Sequence, residues 1–571
     1  MNAFSARNYG SARNSILWTS LVLAAFCFFP FFALGQQQPP NPAPLINWLA
    51  PPSTPPGGPG LTIEVYGVGF VPNSIVRWNG SDRATTFLNS NEVLATISSP
   101  DTATAGAESL TVFSPSPGGG VSNTAFFSVT NPTQTVVLEP TDYVVGGYPV
   151  CGVTADFNGD GKLDLAIGKI NSNTVSVLLG NGDGTFGPKQ DYLTGTDIRA
   201  IVVGDFNGDG KLDLAVANYY SNSVSILLGN GDGTFAPKMD SPVDIGPRSL
   251  AAGDFNGDGI LDLAVVNNKS KTVSILLGNG DGTFAPEMDL TTDVGPFSIV
   301  AADFNQDGKL DLAVSNYGTN SVSIFLGKGD GTFGPRRRFL VGEQPLSLVT
   351  ADFNGDGIAD LAAANEGDKT VSILLGIGDG TFSPQTTFSS GVADTVGTAD
   401  FNGDAKYDLA VLDGAILLGN GDGTFGPRSP AFGVAGRKVF AAAGDFNGDG
   451  RLDILTADDN QDTIYVFLQV PRLAALPKTL KFEPQALHST SKPMKVVMKN
   501  TGSALLQFDE TSVTGDFSRT NSCGPTLPAA SECTFEVTFI PTAVGTRTGA
   551  LTITDNVAGS PQVVSLIGTG K

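Results

Sequence analysis

Residues 205–213, D-F-N-G-D-G-K-L-D, are one of seven copies of a single acidic motif that recurs along the middle of the chain. Successive copies of this motif, D-F-N-x-D-x-x-x-D, begin 49, 49, 49, 49, 48 and 45 residues apart, at Asp156, Asp205, Asp254, Asp303, Asp352, Asp400 and Asp445. A fixed period of this size indicates a repeat architecture. A second motif, G-D-G-T-F, lies in each of the six intervals, at 182–186, 231–235, 280–284, 329–333, 378–382 and 421–425.

The first motif has the chemistry of a cation-binding loop. In the copy at 205–213, oxygen-bearing side chains stand at positions one, three, five and nine, and Gly210 stands at position six. Calcium-binding loops use this layout together with the backbone carbonyl at position seven, and the glycine permits the sharp turn. The motif offers no sulfur or imidazole ligand, which argues against zinc, copper or iron. Position twelve is never acidic, so the helix-flanked calcium hand is excluded.

A plain hairpin turn is the alternative, because N-G and D-G are strong turn dipeptides. A turn does not explain the carboxylate at position nine, which recurs in all seven copies. Three close carboxylates would also repel one another without a cation. The pattern therefore favours calcium, and replacing Asp209 or Asp213 by Ala is predicted to lower the melting temperature in calcium but not in EDTA. In copy six, Ala405 replaces the glycine at position six, which predicts a weaker or empty site.

The G-D-G-T-F motif is interpreted as a turn. It follows a β-branched run such as 223–228 and precedes a Thr-Phe pair that starts the next strand. Turn chemistry accounts for these residues, and the phenylalanine is expected to pack between repeats.

Each repeat predicts four short strands, which in the second unit are Thr185–Tyr192, Arg199–Gly204, Leu212–Asn218 and Ser223–Leu228. Repeats of 40 to 50 residues with four strands are typical of propeller blades. The sequence thus predicts an all-β fold with a seven-bladed β-propeller, flanked by two immunoglobulin-like β-sandwiches.

These units resemble FG-GAP/VCBS repeats, the blades of the propeller at the head of integrin α chains and in many bacterial secreted proteins. The resemblance implies up to seven Ca²⁺ ions, one in each blade. Carried over by position, the implied ligands are the first, third, fifth and ninth side chains and the seventh backbone carbonyl, which are Asp156, Asn158, Asp160, Lys162 and Asp164; Asp205, Asn207, Asp209, Lys211 and Asp213; Asp254, Asn256, Asp258, Ile260 and Asp262; Asp303, Asn305, Asp307, Lys309 and Asp311; Asp352, Asn354, Asp356, Ile358 and Asp360; Asp400, Asn402, Asp404, Lys406 and Asp408; Asp445, Asn447, Asp449, Arg451 and Asp453.

The predicted organisation is a signal peptide at 1–35, a linker at 36–43, a sandwich at 44–132, the propeller at 133–470 and a second sandwich at 471–571. The pieces at 65–70, 76–80 and 117–123 resemble the IPT/TIG immunoglobulin-like family, and Trp78 is expected in its core. The last domain resembles choice-of-anchor-D modules of the ASH/Hydin-like group. Its Cys523 and Cys533 are expected to pair, whereas Cys151 is expected to be buried and His488 to lie in an exposed loop.

The first 35 residues have Arg7 and Arg13 before an apolar run at 16–34, which is typical of a secretory signal. An uncleaved membrane anchor is the alternative. The net charge of −23 becomes −25 once those two arginines leave, which disfavours nucleic acid and anionic membrane as partners. The basic run 336–338 is interpreted as a solvated strand. The protein is therefore expected to be a monomer, secreted or at the cell surface, where calcium is abundant.

No nucleophile elbow, phosphate-binding loop or H-E-x-x-H motif is present, and the propeller has no histidine. The leading hypothesis is a non-catalytic adhesion or ligand-binding protein whose calcium-loop face contacts an extracellular protein or carbohydrate. A structural surface or matrix spacer is the first alternative. A polysaccharide-acting enzyme is the second, and it would use residues that break the repeat, namely Tyr219, Tyr220, Tyr317, Glu343 and Glu366.

Overall fold

The computed structural model describes residues 40–571 except 134–135, 137, 392–393, 412–413, 431–437, 459, 530 and 558–559. The predicted signal peptide and residues 36–39 of the predicted linker lie outside the described residues. The described chain is almost entirely β-structure, as the alternating sequence pattern predicts, with one short 3-10 turn at Ser99–Thr102. No helix in this part of the chain is both long enough and apolar enough to cross a bilayer.

The N-terminal part forms two sheets that pack face to face. Its strands are β1 Leu45–Ala50, β2 Ser53–Thr54, β3 Leu61–Val68, β4 Ile75–Trp78, β5 Ser81–Asp82, β6 Ala84–Asn89, β7 Glu92–Ile97, β8 Gly106–Ser114, β9 Gly120–Val121 and β10 Ala125–Val129. One sheet has the order β1-β3-β7-β6, and the other has β2-β10-β8-β4-β5 with β9 beside β8. Alternate residues of both sheets meet in one core, where Trp78 is 2% exposed and packs on Phe127. The predicted core position of Trp78 is confirmed.

The central part forms seven four-stranded sheets arranged as a propeller. Its strands are β11 Leu138–Val144; β12 Pro149–Ala155, β13 Asp164–Lys169, β14 Thr174–Leu178, β15 Gln190–Leu193; β16 Ile198–Gly204, β17 Asp213–Asn218, β18 Ser223–Leu227, β19 Met239–Pro242; β20 Pro247–Gly253, β21 Asp262–Asn267, β22 Thr272–Leu276, β23 Met288–Thr291; β24 Pro296–Ala302, β25 Asp311–Asn316, β26 Ser321–Phe325, β27 Arg337–Leu340; β28 Pro345–Ala351, β29 Asp360–Asn365, β30 Thr370–Leu374, β31 Thr386–Ser389; β32 Val396–Ala399, β33 Asp408–Val411, β34 Ala415–Leu417, β35 Ser429–Pro430; β36 Lys438–Gly444, β37 Asp453–Asp458 and β38 Thr463–Gln469.

We number the blades one to seven, so that blade one begins at β12 and blade seven at β36. Blades one to six each use four consecutive strands, ordered from the inside of the propeller outward. Blade seven takes β36, β37 and β38 from the end of the propeller sequence and β11 from its beginning. β11 pairs antiparallel with β38, so the two ends of the propeller sequence meet in blade seven. β11 thereby supplies the outer strand of this blade.

The blade core comes from the second and third strands, whose residues are almost entirely buried. Apolar side chains of neighbouring blades pack together, as where Val216 of β17 shares a cluster with Val175 of β14. The inner strands are only half-buried because one face lines the centre, where an apolar cavity of about 320 Å³ lies beside Val300, Val349 and Val396. These packed blade interfaces explain the β-branched, near-continuous hydrophobicity of the repeat.

The boundaries of the blades differ from those of the predicted repeat unit. The segment predicted as strand Thr185–Tyr192 forms a strand only at β15, Gln190–Leu193, and this strand is the outer strand of the preceding blade. Phe186 makes only an isolated bridge with Gly180. The reason is the Gly187-Pro188 pair, because proline has no N–H to donate to a ladder.

The C-terminal part again forms two sheets around one core. Its strands are β39 Leu473–Leu476, β40 Thr479–Lys481, β41 Met494–Asn500, β42 Leu506–Val513, β43 Phe517–Asn521, β44 Thr526–Leu527, β45 Glu532–Phe539, β46 Gly545–Asp555 and β47 Gln562–Gly570. The sheet orders are β39-β41-β45-β43 and β40-β47-β46-β42-β44.

The structure agrees with three expectations about single residues. Cys523 and Cys533 form a disulfide. His488 lies in an exposed loop. Cys151 is buried in blade one, where burial raises the pKa of its thiol to about 12, so the thiolate needed for reactivity is scarce at neutral pH.

Candidate metal centres

The seven acidic motifs all occupy the same place in the propeller, at the junction between the inner strand and the second strand of a blade. In blade two, β16 ends at Gly204, the motif begins at Asp205, and β17 begins at Asp213. Each motif is therefore a tight loop at one end of its blade. We call this end of the propeller the loop face.

The aspartate at position nine fastens the loop to its blade. One carboxylate oxygen of Asp213 accepts the backbone N–H of Phe206 at 2.9 Å, and the other accepts that of Gly229 at 2.8 Å. The other six copies repeat both bonds with the equivalent residues, Asp164, Asp262, Asp311, Asp360, Asp408 and Asp453. All seven of these side chains are fully buried. The aspartate at position nine therefore has a structural role that requires no cation. This role explains why the aspartate recurs in every copy, which a plain turn did not.

The side chains at positions one, three and five hold the loop in a closed turn. In copy two, Asp205 accepts the backbone N–H groups of Asp209 and Gly210, at 3.1 and 2.8 Å. Asn207 Oδ1 also accepts from Asp209, at 3.0 Å, and Asp209 Oδ1 accepts from Lys211, at 3.0 Å. These bonds use one lone pair of each oxygen, and each oxygen has a further lone pair for another partner.

Copy six differs from the others at position five. Ala405 keeps the left-handed conformation of the glycine it replaces, with φ of 66° where Gly210 has 80°. Asp404 Oδ1 is buried and accepts no hydrogen bond from the described part of the chain, whereas the equivalent oxygen of Asp209 is bonded. A buried carboxylate oxygen without a donor is costly, and a cation would satisfy it.

We expect Ala405→Gly to stabilise the protein by about 1 kcal/mol, because a left-handed conformation strains every residue that has a Cβ. Gly210→Ala is the matched reverse change. A Cβ built on Gly210 meets no atom within 4 Å, so its cost is backbone strain alone. Denaturant unfolding in EDTA measures both variants. A destabilising Ala405→Gly would show that Ala405 makes contacts that outweigh the strain.

Burial raises the pKa of the position-nine carboxyl groups, to about 6 in Asp213, about 7 in Asp262 and about 8 in Asp311. The negative charges at positions one and five raise it further in each copy, for example Asp205 and Asp209 beside Asp213. The three carboxylates of one loop therefore repel one another in a partly buried environment. A divalent cation would relieve this repulsion.

The donor set fits a hard cation, since all side-chain donors of the loops are carboxylate or amide oxygens. Nevertheless, among the residues that the structure describes, no three acidic, histidine or cysteine side chains converge as a preformed metal centre. Calcium binding thus stays a prediction. When bound, the ion would be held by positions one, three and five and the carbonyl at position seven, and its double positive charge would offset the excess of carboxylates in each loop.

The loop face differs from the free ligand-binding surface expected from the sequence, because the N-terminal sandwich lies against five of its seven loops. Three aspartates at position one accept hydrogen bonds from this sandwich: Asp254 from Ala43 N at 2.9 Å, Asp303 from Asn91 Nδ2 at 2.5 Å, and Asp400 from Ser53 Oγ at 2.5 Å. In the other two loops, Gly357 lies against the Tyr66 hydroxyl, and Arg451 donates to Asn131 O at 2.7 Å.

The loops of blades one and two remain open to solvent. Asp160 and Asp209, their position-five aspartates, are exposed. Within the described chain, no hydrogen bond joins either loop to the N-terminal sandwich. The seven loops therefore fall into two classes, two open and five covered. Sequence reasoning missed this division, because the motif is the same in both classes.

The G-D-G-T-F segments act as turns that fasten neighbouring blades together. Asp232 caps its own turn by accepting the N–H and hydroxyl of Thr234. Gly233 of blade two donates to the carbonyl of Phe157 in the acidic loop of blade one, at 3.1 Å. Phe235 packs edge-on against the same Phe157, with ring centroids 5.5 Å apart. The expectation that this phenylalanine packs between repeats is confirmed.

The residues proposed for an enzyme all lie at the opposite end of the propeller, which we call the turn face. Tyr219, Tyr220, Tyr317 and Glu366 lie in turns between second and third strands, and Glu343 lies in a connection between blades. Glu343 and Glu366 belong to adjacent turns, where Gly367 N donates to Glu343 O at 3.0 Å. No tyrosine of this set shares a hydrogen bond with either glutamate among the bonds described.

Comparison with known proteins supports the repeat assignment. The model of the FG-GAP-like repeat matches residues 156–216, 205–265, 254–314, 303–363 and 352–411, so the chain contains FG-GAP-like repeats. No curated protein matches the chain.

Solved structures with a similar fold include BBS1N in complex with ARL6DN (14% identity, covering 59% of this chain and 98% of that one, TM-score 0.42). They also include an auxiliary nutrient binding protein from Bacteroides ovatus (11% identity, 75% and 98% covered, TM-score 0.36). A third is the Dos1 propeller (12% identity, 58% and 95% covered, TM-score 0.38). At these identities and TM-scores the three likenesses carry no inference about this chain.

Proposed function

We propose that this is an exported, calcium-binding protein that acts without catalysis as an adhesion or ligand-binding protein in the medium or at the cell surface. The observation that carries the calcium part is the repeated loop geometry. In every copy three carboxylates and one amide are gathered on one short turn, and burial together with the neighbouring negative charges raises the pKa of the innermost carboxyl. Extracellular calcium would fill even weak sites of this kind.

The calcium ions would act structurally in this proposal. Each loop joins two strands of a blade, and its phenylalanine contacts the next blade. An ion that holds the loop closed would therefore stiffen both the blade and its interface. The five covered loops would also hold the N-terminal sandwich in place, three of them through their position-one aspartates.

Ligand binding is then proposed at surfaces that the chain does not cover itself. The turn face is the main candidate, because the N-terminal sandwich lies on the other end of the propeller. Exposed apolar side chains gather there, including Tyr220 at 66%, Ile245 at 51% and Val294 at 48% exposed. Contiguous exposed apolar area on a soluble protein commonly marks an interaction site.

The experiment is capture of glycans and extracellular matrix proteins on an array by the purified protein, in millimolar calcium and again in EDTA. We expect a hit that depends on calcium and weakens in Asp209→Ala. Silence in both buffers with a folded protein would indicate a structural spacer. Turnover of a captured polysaccharide would indicate an enzyme.

A further inference from the structure

A cleft of about 390 Å³ lies where the N-terminal sandwich meets the acidic loop of blade four. On the sandwich side it is lined by Trp48, Tyr66 and the turn between β6 and β7, and on the propeller side by Gln306 and Asp307 among other loop residues. Its volume falls within the range of roughly 300–1,000 Å³ that small-molecule sites occupy. We call it the interface cleft.

The aromatic wall of the interface cleft is a stacked pair. The ring centroids of Trp48 and Tyr66 lie 5.3 Å apart, and the two ring planes differ by 15°. Trp48 is only 6% exposed, and its Nε1–H finds no acceptor in the described part of the chain. A buried donor without an acceptor is costly, so an oxygen atom at this wall would be stabilised there.

The carboxylates at the cleft already have hydrogen-bond donors from the protein. The Tyr66 hydroxyl donates to Glu64 Oε2 at 2.9 Å, and Asn91 Nδ2 donates to Asp303 Oδ2 at 2.5 Å. Glu92 adds a third carboxylate, which lies close enough to Glu64 for the two charges to repel. An anionic ligand would be repelled here, whereas a hydroxyl group could donate to the lone pairs that remain.

Copy four is the one acidic motif whose position four is not glycine, and the residue there, Gln306, lies at the cleft. Gln306 adopts the left-handed conformation with φ of 58°, where Gly208 of copy two has 72°. It is exposed, and its side-chain amide forms no hydrogen bond with the described residues. Gln306 therefore strains the loop relative to glycine, and its amide is available to a ligand.

We infer that the interface cleft binds a neutral mono- or disaccharide. Sugar hydroxyls both donate and accept, so one ligand can serve the carboxylates, the Gln306 amide and the Trp48 N–H together. A cation could not use the N–H donors. The C–H groups of a sugar ring would pack on Tyr66. This inference goes beyond the proposed function, because the cleft lies at the loop face and takes a small ligand, whereas the proposed function places large ligands on the turn face.

The test is calorimetric titration of the purified full chain, in millimolar calcium, with four neutral disaccharides: cellobiose, maltose, lactose and N,N′-diacetylchitobiose. We expect at least one of them to bind saturably. Raising sodium chloride should leave its affinity unchanged, because the ligand has no net charge. Spermidine, a cationic probe, should not displace it.

Gln306→Gly is the most informative variant, because it removes the amide and restores the residue that the other six copies carry. We expect it to weaken binding about threefold or more, as the loss of one hydrogen bond would, and at the same time to raise the melting temperature. Ala405→Gly is the matched control. It relieves the same strain in blade six, outside the cleft, and should bind like the parent.

Glu92→Gln tests the carboxylate side of the cleft, since it removes the charge and keeps the size of the side chain. We expect binding to weaken about threefold or more, because a hydroxyl donates more strongly to a carboxylate than to an amide. Glu510→Gln makes the same change on the exposed surface of β42 and should bind like the parent.

The inference is overturned if none of the disaccharides binds at tens of millimolar, or if Gln306→Gly binds as tightly as Ala405→Gly. Displacement of the sugar by spermidine would identify a cation-binding cleft and overturn it as well. The proposed function has a separate readout. If the array captures a ligand in calcium while no disaccharide binds, only this inference fails. If a disaccharide binds and the array captures nothing, the proposed function fails and the inference stands.

Discussion

Asp213→Ala is expected to lower the melting temperature in calcium and in EDTA alike, whereas Asp209→Ala should lower it only in calcium. The difference follows from their bonds. Asp213 is buried and accepts two backbone N–H groups, so its loss strands both donors at a cost of about 2–6 kcal/mol whatever the buffer. Asp209 is exposed, and its partners are local, the backbone N–H of Lys211 and the Lys211 ammonium at 3.3 Å, so its removal costs little unless a cation is lost.

This changes the expectation drawn from the sequence, in which both variants report calcium equally. Only an exposed position-five aspartate separates cation binding from the structural role of the loop. Asp209 is that residue in blade two, and Asp160 is its exposed equivalent in blade one. Thermal melts of the parent and of Asp213→Ala, Asp209→Ala and Asp160→Ala, in calcium and in EDTA, test this difference. If Asp209→Ala melts like the parent in calcium, the open loop of blade two is only a turn.

In EDTA the protein should become more stable as the pH is lowered from about 8 to about 5.5. In five copies the position-nine carboxyl group has an unfolded pKa of 3.8 and a folded pKa of about 6 to 8, because burial disfavours its charged form, and burial likewise raises the pKa of Asp408 and Asp453 well above 3.8. The folded state therefore binds more protons than the unfolded state in this window, and its stability falls as the pH rises through the folded pKa. Several coupled sites should shift the melting temperature by roughly 5 °C or more.

Calcium should flatten this dependence, because a bound cation favours the charged carboxylate. Loop carboxyl groups at positions one and five act in the same direction, since burial raises the pKa of Asp400 to about 6 and that of Asp449 to about 7, whereas turn aspartates such as Asp183 have a pKa lowered by a threonine hydroxyl. Melting curves across the pH range in EDTA and in calcium provide the measurement. A melting temperature that rises with pH in EDTA would contradict the assigned burial of these carboxylates.

The fold was predictable from the sequence because its information is local and repeated. The period of the D-F-N motif, the alternating runs and the turn dipeptides each point to short antiparallel strands, and the propeller follows from their number. The strand predicted at Thr185–Tyr192 was wrong at its start because Pro188 interrupts the pairing. The assignment of that segment to the preceding blade could not be read from a periodic pattern, since a period has no fixed starting point.

The candidate sites were predictable only in part. Residue type and spacing identified the loops, but the pairing of Asp213 with Gly229 joins residues that the motif does not contain. The position of the N-terminal sandwich over five loops could not be predicted, because it depends on contacts such as that of Ser53 with Asp400. These two residues lie far apart in the sequence and carry no recognisable motif.

The central claim is that the seven loops bind calcium, and equilibrium dialysis of the purified protein against millimolar calcium tests it most directly. The account predicts more than one and at most seven ions per chain, with Asp209→Ala binding one ion fewer than the parent. A folded protein that retains no calcium, or a variant that retains as much as the parent, would contradict it.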